Sequence, residues 1–131
     1  MSIEVKFPGG VKVDAHIEPF VISTDQSVKA GGEGSYPAPF SLFLASLATC
    51  AGYYVKAFCD SRHLETDGIS LTMDTEYDQL NKMISKIIIK IIVPMNFPEK
   101  YDNALINAAN VCAVKRHLSD KIEFDTVVVR S

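Results

Sequence analysis

Apolar and polar positions alternate from Val11 to Ile17: Val11, Val13, Ala15 and Ile17 are interleaved with Lys12, Asp14 and His16. That period of two predicts a half-buried strand. Pro8-Gly9-Gly10 predicts a turn before it, and Phe20 to Thr24 a second strand after Pro19. Gly31-Gly32-Glu33-Gly34-Ser35-Tyr36-Pro37 has the composition of a loop. Pro39 then suits the first position of a helix, where its missing N–H has no intrahelical partner. The helix should run to about His63. Its turns place Ser41, Ala45, Ala48, Gly52 and Cys59 on a face of small residues, beside a bulky face of Phe40, Leu44, Leu47, Ala51, Tyr54 and Phe58. Such a ridge lets another helix approach closely, so this is expected to be a central helix.

After Gly68 the period returns to two. Ile69, Leu71, Met73, Thr75 and Tyr77 share one face, Asp78-Gln79-Leu80-Asn81 makes a turn, and Ile87, Ile89, Ile91 and Val93 share a face of the next strand. The pattern is a β-hairpin, ended by Pro94. A second helix is predicted from about Phe97, with Tyr101, Ala104, Leu105, Ala108 and Cys112 on one continuous stripe and Asn103, Asn107, Asn110 and His117 opposite. A strand from Ile122 to Arg130 follows. The order of elements is that of an α+β fold, read as a single domain over residues 1–131.

Composition narrows the class. Of the 131 residues, 47% are hydrophobic and 22% charged, which excludes disordered, collagen-like and disulfide-scaffold chains. A net charge of −3 without a long basic run removes the electrostatic footprint of nucleic-acid binding. Residues 34–55 carry no formal charge, nominally enough to cross a membrane. Ser41, Ser46, Thr49, Gly52 and two prolines interrupt that run, so we expect a helix buried on nearly all sides in a soluble protein, assisted by a second subunit. The first ten residues have no signal-peptide core, which predicts a cytoplasmic protein with reduced cysteines.

Candidate chemistry centres on Cys50 and Cys112. If the two apolar helices pack together, their sulfurs meet. The residues alone leave two readings: small buried hydrophobes, or a pair in which one thiolate attacks a peroxide and the other captures the sulfenic acid as a disulfide. Cys50 lies three turns into its helix, beyond useful reach of the helix N-terminus. Lys115 and Arg116 suit the C-terminal end of the second helix. Cys59 and His63 have metal-ligand spacing but no partner pair. Phosphate-binding loops, dinucleotide fingerprints and serine-nucleophile elbows are missing from the sequence, so neither a cofactor nor a metal is expected.

Two stretches carry a resemblance. Pro37-Ala38-Pro39-Phe40-Ser41-Leu42-Phe43-Leu44-Ala45-Ser46-Leu47-Ala48-Thr49-Cys50 is similar to the proline-led signature helix of OsmC/Ohr proteins, which carries their reactive cysteine. Ala108-Ala109-Asn110-Val111-Cys112-Ala113-Val114 is similar to the family's "C-x-V/I" helix with its resolving cysteine. The resemblance covers nearly the whole chain and is closest to the OsmC-like branch. It implies an intertwined homodimer, with strands flanking two central cysteine-bearing helices. It also implies thiol-dependent reduction of hydroperoxides, organic ones preferred, with a dithiol reductant, Cys50 as peroxidatic thiol and Cys112 as resolving thiol. The alternative is a non-catalytic dimer of the same fold that binds a small apolar or thiol ligand at its interface. The chain departs from the family pattern at the positions of its activating residues. Ser41 and Phe40 stand where peroxidase members carry a glutamate. The N-terminal strands lack the family's arginine, the first arginine being Arg62, and Glu33 is the acid of the preceding loop.

Overall fold

The computed structural model describes residues 1–118 and 121–131. Two compact units, Met1–Ala45 and Ser46–Ser131, divide the chain within its long helix.

The first unit is an antiparallel sheet of β1 (Glu4–Gly9), β2 (Lys12–Ile17) and β3 (Phe20–Thr24) in that order. Pairs such as Val5↔Ala15 and Ala15↔Ile22 set its register. The Glu18-Pro19 peptide in the β2–β3 turn is cis. Burial along β2 does not alternate as the sequence predicts: every residue of the strand is half-buried. Its neighbours explain this, since Val5, Phe7, Phe20 and Val21 are all exposed and leave neither face of the sheet fully covered.

The loop after β3 is organised by Asp25, a buried carboxylate. Its oxygens accept from the N–H groups of Gln26 (2.8 Å), Ser35 (3.1 Å) and Glu33 (3.2 Å). The Gln26 N–H leads the causes that hold its pKa below the ordinary carboxylate value, against the opposing effect of burial. Gly32 is required here for space: a Cβ would overlap the Gln26 carbonyl and come within 2.7 Å of Asp25 Oδ1. Glu33 turns outward to Lys12 Nζ at 2.8 Å.

Helix α1 (Pro39–Ser61) follows, close to the predicted bounds. Only Leu47, Ala51, Val55 and Cys59 are buried, one line at a spacing of four. Within one chain burial is confined to this line, and Phe40 and Tyr53 remain exposed. By length and composition α1 could cross a membrane.

The second unit contains β4 (Ser70–Asp78), β5 (Met83–Val93) and β6 (Glu123–Arg130) in one sheet, with β5 central. β4 and β5 form the predicted hairpin, and β6 lies parallel to β5, from Lys86↔Glu123 to Val93↔Arg130. A parallel neighbour needs a crossover. The chain supplies it with a 3-10 turn (Glu99–Tyr101), α2 (Asp102–Ala109) and α3 (Ala113–Arg116). Ile87, Ile89, Ile91 and Val93 from β5, with Phe97, Leu105, Ala109 and Cys112 from the crossover, join the buried line of α1 as the core. The Phe58 and Tyr101 rings meet edge to face at 5.9 Å. Arg130 forks onto Asp102 at 2.6 and 2.8 Å, fixing β6 to the start of α2.

Candidate active site

Cys50 lies beside the buried line of α1 and is half-buried. Cys112 arrives from the crossover, and here the structure departs from the sequence pattern. The predicted second helix is not continuous; it breaks between Ala109 and Ala113, and Cys112 is the N-cap of α3 with φ −43° and ψ 123°. The physical reason lies in Asn110, whose amide oxygen accepts from Thr126 Oγ1 at 2.9 Å and from Lys115 Nζ at 3.0 Å. The cap turn keeps Cys112 buried and lets its sulfur accept the Lys115 N–H at 3.5 Å.

The two thiols influence each other, with opposite electrostatic consequences. Burial pushes the Cys50 thiol upward. The Cys112 side chain, the N–H groups of Val114 and Ala113 and the charge of Arg116 outweigh it, so the net displacement is below the ordinary thiol value. Cys112 is raised, first by burial and then by Cys50, with the Lys115 N–H opposing. Of the two, Cys50 is the thiol whose charged form its surroundings favour. A partly exposed thiolate held by hydrogen-bond donors is the environment in which cysteine becomes nucleophilic.

Lys115 and Arg116 occupy the last turn of α3. Burial lowers the Lys115 pKa, and its ammonium lies 4.6 Å from the centre of the Phe124 ring. Arg62 stacks on Phe58 at 4.0 Å. Cys59 is fully buried, with a pKa raised by burial and then by Asp60. It sits on the core side of α1, about half a helical circle from Cys50. Among the described residues, no group of three His, Cys, Asp or Glu side chains could hold a metal ion.

Sequence reasoning found both thiols and missed what surrounds them. The N–H donors of residues 113 and 114 are backbone groups and carry no signature of their own. Asn110 read as one more polar residue on an exposed face.

A family model described as OsmC-like protein matches residues 32–127. None of the curated proteins matches the sequence. Among solved structures, a Psychrobacter arcticus protein described as an osmotic-stress-induced and detoxification-response protein superposes with a TM-score of 0.81 at 20% identity. That match covers 98% of this chain and 95% of the other. An OsmC-like protein of Mycoplasma pneumoniae gives 0.78 at 12% identity, covering 98% and 95%. The organic hydroperoxide resistance protein OsmC of Legionella pneumophila gives 0.67 at 18% identity, covering 98% and 97%. At these identities the likeness is one of fold.

Proposed function

The chain belongs to the OsmC-like protein family, and on that premise we propose that it is a thiol-dependent peroxidase that reduces organic hydroperoxides. The observation that carries this reading is the pairing of a half-buried Cys50 with a buried, helix-capping Cys112, the first lowered and the second raised. The Cys50 thiolate attacks the terminal oxygen of the hydroperoxide. The O–O bond breaks, its electron pair leaves with the alkoxide, and a proton completes the alcohol. Cys50 is now a sulfenic acid. Cys112 loses its proton and attacks that sulfur, forming the disulfide and releasing water. A dithiol reductant returns both thiols by exchange and is itself oxidised to a disulfide.

Activation in this scheme comes from the turn that carries the resolving cysteine, through the N–H groups of Ala113 and Val114 and the charge of Arg116. It compensates for the N-terminal strands having no arginine. The neighbour described as an organic hydroperoxide resistance protein supports the substrate class. The exposed Phe40 and Tyr53 of a largely apolar helix support a homodimer in which α1 is covered by a second copy. We read the chain as one cytoplasmic OsmC-like domain.

The test is hydroperoxide consumption by the purified protein with a dithiol reductant, comparing an organic hydroperoxide with hydrogen peroxide. Turnover should be lost in Cys50→Ser and limited to a single oxidation event in Cys112→Ser. Turnover unchanged in Cys50→Ser would reject the assignment. No turnover in the wild type, together with slow alkylation of Cys50, would favour the non-catalytic dimer.

A further inference from the structure

We infer that Asn110 is the positioning residue of the thiol pair: its amide oxygen clasps Thr126 of β6 and Lys115 of α3, and this clasp aims the Cys112 turn at the Cys50 sulfur. The inference deepens the peroxidase reading and rests on it.

The hydrogen bonds on either side of the turn each close within their own helix. Asn110 N–H reaches the Ile106 carbonyl at 3.1 Å, Val111 N–H the Ala108 carbonyl at 3.1 Å, and Arg116 N–H the Cys112 carbonyl at 3.2 Å. The Asn110 side chain links across. A carbonyl oxygen has two acceptor positions, and one Oδ1 uses both, for the Thr126 hydroxyl at 2.9 Å and the Lys115 ammonium at 3.0 Å. Thr126 is buried on β6, paired with Ile89 of β5, so this anchor belongs to the sheet. Lys115 is held a second time, over Phe124 of the same strand. The backbone N–H of Lys115 is the group that Cys112 Sγ accepts. Fixing the Lys115 side chain therefore fixes the cap, and with the cap the directions of the Ala113 and Val114 N–H groups, which favour the charged form of Cys50.

The experiment follows Cys50 alkylation by iodoacetamide against pH in the full chain, with each cysteine resolved by peptide mass. The variants are Asn110→Ala, Thr126→Val and Thr126→Ser. In Asn110→Ala the neutral-pH rate at Cys50 should fall about fivefold, the weight of one net hydrogen bond, and its midpoint should move up. Thr126→Val should lose part of the rate, and Thr126→Ser, which keeps the donor, should retain it. Cys59 should stay unreactive in every variant, because a shift produced by general loosening would expose it as well. If Asn110→Ala opens Cys59, the Thr126→Val and Thr126→Ser pair decides: different Cys50 profiles support the clasp, equal ones overturn it. An unchanged profile in Asn110→Ala overturns it directly. Alkylation needs no turnover, so a wild type with a low midpoint and no peroxidase activity would overturn the reaction alone. A wild type with an ordinary thiol midpoint would overturn both.

Discussion

Cys112 has two separable duties in this structure, capping α3 and facing Cys50, and replacing it by alanine or serine tells them apart. Alanine removes the sulfur that accepts the Lys115 N–H and the side chain that favours the charged form of Cys50. Losing a helix cap costs about 0.5–2 kcal/mol. At a nitrogen–sulfur distance of 3.5 Å the lower half of that range applies, about 0.5–1 kcal/mol. Emptying the sulfur's buried place adds about 1 kcal/mol, a methylene-sized loss of apolar burial. The expected destabilisation of Cys112→Ala is about 2 kcal/mol, or about 5–10 °C in midpoint for a chain of this size. Serine keeps an acceptor for the Lys115 N–H and a donor for Cys50, and is among the preferred N-cap residues. Cys112→Ser should therefore recover most of the cap contribution and keep Cys50 more reactive than in Cys112→Ala, although neither variant forms the disulfide. The assay is urea unfolding at equilibrium for stability and iodoacetamide alkylation at neutral pH for Cys50. If the two variants coincide in both stability and Cys50 reactivity, the cap and the hydrogen bond have no consequence and the reasoning fails.

Other expectations follow from the same geometry. Gly32→Ala should lower the urea midpoint markedly with little change in slope, because its Cβ displaces the Gln26 carbonyl and breaks the Gly34 N–H bond to it at 3.0 Å; about 2–4 kcal/mol is expected from overlap and one lost bond. Alkylation of Cys50 should rise through a midpoint below the ordinary thiol value, since its folded pKa is lowered, while Cys59, raised and fully buried, reacts only on unfolding. Mass spectrometry after a pH series distinguishes the two sites. Because Asp25 is lowered in the folded state, its contribution to stability is present above the unfolded carboxylate pKa and lost as pH falls through the lower folded value. Asp25→Asn should therefore flatten the acid limb of a stability-versus-pH curve. Sedimentation should give twice the chain mass of 14.4 kDa; a monomer at micromolar concentration would contradict the proposed dimer.

Much of this architecture was legible because periodicity reports burial. Ile87, Ile89, Ile91 and Val93 were assigned to one face from alternation alone, and all four are buried. Pro39 marked the start of α1 because proline is tolerated at few other helical positions. The strand β1 went unassigned although Ile3, Val5 and Phe7 alternate with Glu4 and Lys6; in the structure Glu4–Gly9 is exposed throughout, so that alternation reports no buried face. The break at Asn110 was invisible for a different reason. Its cause includes a tertiary hydrogen bond from Thr126, sixteen residues away, and local propensity does not register such a partner. The same holds for Asp25, whose burial depends on backbone N–H groups of a loop that only the folded chain brings together.

The parallel pairing of β6 with β5 also sets an order of assembly. β4 and β5 are joined by a tight turn and can zip as soon as both have been synthesised. The crossover cannot dock in the same way, because Thr126 and Phe124, its anchors, lie on a strand made after it. Until that strand has left the ribosome, Cys112 has no fixed station opposite Cys50. Pairing of such separated segments is slow relative to hairpin closure. The nascent chain thus carries both thiols before the contacts that set them apart exist, and the proposed division into nucleophile and proton holder is among the last properties it acquires.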